Sequence, residues 1–192
     1  MVDVESLRKG GRWNGKGAVY FPGKKGSYIK IDDGGVLNPN EKDYSIYTWF
    51  KPTTKNTRYI LSKGDNKKGG YLFYSNTRFR IVARATNKKR YRSKRSSKLD
   101  VNKWHMAAMV IDHSNNELRM YMDGKLQSTN KLLNAKQIKK GKTVEFTSTV
   151  SFLIGGRPNG RRPFRGYIDE VEVFSRALSD RDISSAYEMG SP

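Results

Sequence analysis

Short runs in which apolar and polar residues alternate, broken every few positions by Gly, Asn, Asp or Pro, recur along nearly the whole chain. A period of two places successive side chains on opposite faces of an extended backbone, so this pattern leaves little room for any fold other than packed β-sheets. Ala18-Val-Tyr-Phe21 and Tyr28-Ile-Lys-Ile31 read as strands on either side of the turn Pro22-Gly-Lys-Lys-Gly26. Tyr44 to Lys51 is a longer strand ended by Pro52, which has no N–H to continue a ladder. Tyr59–Ser62, Gly70–Tyr74 and Arg78–Ala83 continue the pattern. Trp104 to Ile111 is a nearly unbroken apolar run, as expected of a strand covered on both faces. Glu117–Met122 and Lys125–Ser128 flank Asp123-Gly124, the pair that a two-residue type I′ hairpin turn favours. Val150–Ile154 and Gly166–Phe174 supply two more strands.

Helical spacing is confined to the C-terminus. Ser179 is placed to cap a first turn that Asp182 closes, Ile183, Ala186 and Tyr187 share one face, and Gly190 stops the element. The Lys-rich stretch Asn130 to Lys142 reads as a long loop. About a dozen short strands and one terminal helix predict an all-β fold, a two-sheet antiparallel β-sandwich, with residues 1–192 as a single domain.

Only 35% of the 192 residues are hydrophobic, so the core must be thin, yet 11% aromatic content and the Val and Ile runs argue against disorder. No cysteine is present, which excludes disulfides, thiolate metal sites and a Cys nucleophile, and His105 and His113 are the only imidazoles. No stretch approaches the ~18 apolar residues of a spanning helix. The N-terminus has no apolar stretch of signal-peptide type.

The pieces then match a known family in order. Gly17-Ala-Val-Tyr-Phe21, Tyr44 to Pro52, Lys103-Trp-His-Met-Ala-Ala-Met-Val110, Leu118-Arg-Met-Tyr-Met-Asp-Gly124, Phe152-Leu-Ile-Gly-Gly156, Phe164 to Phe174 and Ala177 to Ile183 together resemble the laminin-G-like, concanavalin-A-like jelly-roll domains of the lectin/glucanase superfamily. The resemblance implies a jelly roll that most often binds glycans or proteins and sometimes carries hydrolase or lyase activity. It also implies a structural calcium near the first turn and the Ile-Asp-Glu strand. Here that turn carries Pro22, Lys24 and Lys25, leaving Asp169, with Asp32 or Asp33, as the suggestive ligands. The alternative for Asp169 is a buried hydrogen-bond acceptor, and no cofactor is required.

Glu170 and Glu172, two apart on one strand, are the nearest approach to the ~5–5.5 Å carboxylate pair of a retaining glycosidase. Ile168-Asp-Glu-Val-Glu172 does not reproduce the acidic signature of the family's glycosidases, so a hydrolase or lyase is the less favoured reading and a non-enzymatic binding module the favoured one.

Charge carries the remaining information. Lys and Arg number 38 against 18 Asp and Glu, a net charge of +20. Lys88 to Lys98 holds seven basic residues and no acidic one, and Arg78, Arg80 and Arg84 precede it on one strand face. A second set is Arg157, Arg161, Arg162 and Arg165; a third is Lys136, Lys139, Lys140 and Lys142. Guanidinium groups bind carboxylate, sulfate or phosphate bidentately, so an anionic partner is expected, and the jelly-roll resemblance implies an acidic glycan, with Arg80, Arg84, Arg90, Arg92, Arg161 and Arg162 as salt-bridging contacts and Tyr91 as a stacking platform. Tyr71, Tyr74 and Trp13 offer further flat faces. Two alternatives stand beside this: an acidic protein surface, as for a viral capsid or tail protein, and non-specific nucleic-acid binding. A domain of this kind that starts at Met1 without a leader is expected in a virion or the cytoplasm, reaching the exterior by lysis and inserting in no membrane.

Overall fold

The computed structural model describes residues 11–56, 58–64, 69–76, 78–96 and 98–192. In chain order its elements are β1 (Val19–Pro22), β2 (Ile29–Ile31), β3 (Tyr44–Pro52), β4 (Arg58–Gly64), β5 (Gly70–Asn76), β6 (Arg78–Arg84), β7 (Arg90–Arg92), β8 (His105–Asp112), β9 (Glu117–Met122), β10 (Lys125–Lys131), α1 (Ala135–Lys139), β11 (Phe152–Ile154), β12 (Arg165–Phe174) and α2 (Asp180–Gly190). The strands form two six-stranded sheets, β1-β12-β3-β8-β9-β10 and β2-β11-β4-β5-β6-β7, in which neighbours pair antiparallel. The sandwich expected from the alternation is the architecture found.

The main core lies between the sheets. Phe21, Ile46, Phe50, Met109, Met120 and Ile168 of the first sheet meet Ile60, Leu61, Phe73, Phe79, Ile81 and Phe152 of the second, all with almost no exposure. A smaller cluster covers the first sheet's other face. Trp49, Met106, Ala108, Val110 and Tyr121 pack there with Leu178, Ile183, Ala186 and Tyr187, and the Trp49 and Tyr187 rings stack at 5.4 Å. All eight residues of β8 are buried because its two faces feed these two clusters, which accounts for its unbroken apolar run.

Local chemistry sets the element ends. Ser179 Oγ accepts from the Asp182 backbone N–H while the Asp182 carboxylate accepts from the Ser179 N–H, the reciprocal cap expected at the start of α2. Asp123 and Gly124 have φ of 49° and 71°, as a type I′ turn requires. The stretch expected to be one long loop departs from that reading. β10 continues to Lys131, and Asn134 and Gln137 form a second reciprocal cap that nucleates the single turn α1. Among the described residues no helix is long and apolar enough to cross a membrane.

Candidate functional site

Alternation along β6 puts Phe79, Ile81 and Ala83 into the main core and Arg78, Arg80, Val82 and Arg84 on the outer face of the second sheet. The register of the neighbouring strands extends this face sideways. Arg84 lies opposite Arg90, Val82 opposite Arg92, and Arg80 opposite Tyr74 of β5. Leu72 and Val82, only 5% and 7% exposed, form an apolar floor among these long side chains, since arginine stems cover apolar surface while their heads stay in water.

A second basic set joins this face through an aromatic bridge. Tyr59 lies opposite Tyr74 with ring centroids 5.7 Å apart, and the Arg157 guanidinium sits 4.9 Å over Tyr59 while its Nη1 donates to the Tyr59 hydroxyl at 2.8 Å. Strict alternation from the buried Leu61 would send Tyr59 into the core. A bulge between Tyr59 and Leu61 lets Ile60 and Leu61 both pack inward and turns Tyr59 out. The sequence therefore gives no sign of Tyr59 as a site residue and leaves Arg157 in a separate basic set, because a bulge depends on strand pairing and leaves little local trace.

The electrostatics of this face are unbalanced. Among the described residues the ion pairs engage Arg12, Lys16, Lys30, Lys63, Lys103, His105, Arg119, Lys131 and Arg176, and none includes Arg80, Arg84, Arg90, Arg92 or Arg157. Partial burial and the neighbouring charges of Arg84 and Arg92 hold the Arg90 pKa below its ordinary value. Two guanidiniums are fixed by carbonyls: Arg78 Nη1 donates to Ser96 O at 3.3 Å and Arg84 Nη1 to Lys88 O at 3.2 Å. The arrangement is a set of positive groups crowded together and held in place, with donor capacity left for an external anion.

Not every expected contact lies here. Tyr91 points the other way: alternation along β7 sends Arg90 and Arg92 outward and Tyr91 into the main core, 3% exposed, with its hydroxyl donating to Leu132 O at 2.8 Å and burial pushing its pKa up to about 12. It is thus a core residue and no stacking platform. Tyr71 is likewise buried, 2.7 Å from the Tyr44 hydroxyl, whereas Trp13 is exposed on a different part of the molecule beside Arg12 and Lys16. Arg161 and Arg162 are exposed in the loop before β12, at the rim of the face, where Arg162 O accepts from the Tyr59 N–H at 3.1 Å. Arg165 opens β12 in the first sheet and packs against Gly23. The Lys136–Lys142 set follows Leu132, whose carbonyl also accepts from Lys89 Nζ, so it lies towards the β7 edge.

Asp169 and Glu170 sit at a bulge in β12, with Glu170 at φ 43°. Asp169 Oδ2 lies 3.4 Å from Arg12 Nε and 3.7 Å from Lys16 Nζ, its Oδ1 accepts from the Glu170 N–H at 2.9 Å, and Glu170 pairs with Arg12 and Lys16. Arg12 is itself buried between the Trp13 and Trp49 rings and donates to Gly190 O at 2.7 Å. Asp33 receives Lys63 Nζ at 2.6 Å, and Asp32 receives Ser151 Oγ and Lys30. A hard cation needs converging oxygen donors. Two cationic side chains already neutralise Asp169, so these residues do not fit the calcium that the resemblance implied, and no group of three or more His, Asp or Glu among the described residues could hold a metal ion. The bulge also breaks the two-residue spacing proposed for Glu170 and Glu172. Burial raises the Glu170 pKa, but Lys16 and Arg12 outweigh it and hold the carboxyl below its ordinary range, the opposite of what a general acid needs.

Against this geometry the sequence profile described as the concanavalin A-like lectin/glucanases superfamily matches residues 22–184, from the end of β1 into α2. The chain belongs to that superfamily. Similar solved structures within the same fold include an SAP-like pentraxin from Limulus polyphemus, with a TM-score of 0.64, 14% identity and coverage of 90% of this chain and 82% of the pentraxin. The binding domain of Paraclostridial Mosquitocidal Protein 1 superposes with a TM-score of 0.71 at 11% identity over 93% of this chain and 44% of that one. The botulinum neurotoxin serotype D ligand-binding domain, solved with N-acetylneuraminic acid, gives 0.64 at 16% identity over 87% and 41%. This concanavalin A-like chain thus spans less than half the length of the two toxin domains, and identities this low establish a shared fold. No curated protein matches the sequence.

Proposed function

We propose that this concanavalin A-like domain is a non-catalytic binding module for anionic carbohydrate, and that the outer face of the second sheet is its binding surface. The observation that carries the reading is the gathering of Arg80, Arg84, Arg90, Arg92 and Arg157 with Tyr59 and Tyr74 on one face, free of ion pairs among the described residues. Guanidinium forks recognise carboxylate and sulfate bidentately, and a tyrosine edge or face beside them suits a sugar ring. A superfamily that includes lectins, and neighbours that are themselves binding domains, support the same reading.

Titration calorimetry with alginate, a sulfated glycan, a neutral glycan and duplex DNA, each at low and at physiological salt, tests it. The expected result is retained binding of one anionic glycan at physiological salt, abolished by R90A/R92A without any lowering of the thermal midpoint, since both side chains are exposed on an edge strand. Attraction to every polyanion that vanishes at physiological salt overturns the reading in favour of a basic surface that docks on an acidic protein.

A further inference from the structure

We infer that the ligand of this face is a linear chain bearing an acidic group on each successive residue, laid along β6 and β7, rather than a glycan ending in a single acidic sugar. The inference rests on the proposed function above. Its basis is the spacing of the guanidiniums. On the outer face the cross-strand pairs recur every second residue, about 7 Å apart along the strand. Arg78 marks one level, Arg80 the next, Arg92 supplies the level at which β6 itself has Val82, and Arg84 with Arg90 completes the fourth. Every level of β6 from Arg78 to Arg84 therefore carries a guanidinium, and at the gap left by Val82 the charge comes from the neighbouring strand.

The stripe spans six residue steps, about 20 Å, several times the width of one sugar ring. A pocket for one carboxylate would converge two or three donors on a point, whereas these are strung out in a line. Arg78 and Arg84, at the two ends, are the ones fixed by backbone carbonyls. Tyr74, half-buried and backed by the buried Tyr59 under Arg157, flanks the stripe at the level of Arg80 and gives one ring of the chain an edge to pack on.

The test is a length series at physiological salt: oligomers of guluronate from one to six residues, 3′-sialyllactose as a sugar with one terminal acid, and duplex DNA of equal charge. Affinity for oligoguluronate is expected to rise about 100-fold between the monomer and the hexamer, with sialyllactose binding no better than the monomer. In R80Q/R92Q, which empties the two inner levels, the hexamer is expected to bind no better than the dimer, because the stripe is interrupted at its middle. Sialyllactose or the monomer binding as tightly as the hexamer overturns the inference and leaves the proposed function standing. Duplex DNA binding as tightly as the hexamer overturns it in favour of nucleic acid. If no glycan binds at physiological salt, both fall together.

Discussion

Arg12 shows how far one side chain can reach across this fold. Its guanidinium lies between two indole rings, bonds the last residue of α2 through Gly190 O, and neutralises Asp169 and Glu170 on β12. Removing it leaves two carboxylates short of their main counter-charge, so Arg12→Met is expected to cost about 3–5 kcal/mol in urea unfolding. Arg12→Lys is expected to restore little, because an ammonium group cannot stack between the rings and serve three acceptors at once. The two histidines act in opposite directions. Burial draws the His105 pKa down, but the hydrogen bond and charge of Asp123 and the Asp100 carbonyl outweigh it, so the folded value lies above the ordinary 6.5. Its stabilising contribution is full below 6.5 and is lost as pH rises through the raised value. Burial holds His113 below 6.5 against the charges of Asp43, Glu41 and Asp112, so its contribution is present above 6.5 and is lost as pH falls through the depressed value. Thermal midpoints across pH 5 to 8 are thus expected to show the gap between wild type and H105Q closing as pH rises, and the gap for H113Q closing as pH falls. At this scale the structure reverses the expectation for Tyr91 and Tyr71, which are core residues. Both are aromatic residues in strands, and which face a single aromatic takes depends on register.

At the scale of the element, turn and cap chemistry was legible because it is local. Asp123-Gly124 and Ser179 with Asp182 form where their residue types predict. The Asn134–Gln137 cap that starts α1 is written in the same terms but sits in a Lys-rich stretch whose single helical turn buries no residue, so no apolar period marks it. Gly124 illustrates what a turn type demands, since its φ is 71° and a Cβ there would meet the Tyr187 ring and Cβ at 3.0 to 3.1 Å. Gly124→Ala is expected to destabilise the protein by about 1–2 kcal/mol in chemical unfolding, from left-handed backbone strain together with displacement of Tyr187 from Trp49. The bulge in β4 is the contrasting case. It exists because Leu61 pairs with Phe73 while Tyr59 pairs with Tyr74, a requirement set by a partner strand, and it alone turns Tyr59 towards Arg157.

For the whole molecule the balance between cohesion and charge governs behaviour. A net charge of +20 is self-repulsive, and Arg84, Arg90 and Arg92 on the second sheet repel one another locally. Raising sodium chloride from low to high concentration is expected to raise the thermal midpoint by screening that repulsion while weakening glycan binding, so that scanning calorimetry and titration calorimetry move in opposite directions. A midpoint that falls with salt would mean that the ion pairs outweigh the crowded arginines. The amino-acid order by itself determined the all-β class, the strand runs, the hairpin turn, the cap of α2 and the outward sense of Arg78, Arg80 and Arg84, because each follows from a period or a local bond within a few residues. Only the tertiary structure decided that Arg157, far along the chain from β7, joins them through Tyr59 and Tyr74, that Tyr91 is sealed inside, and that Arg12 and Lys16 stand beside Asp169. These depend on which strands become neighbours and where a bulge shifts their register, quantities set by burying two sheets against each other and by no single segment of the chain.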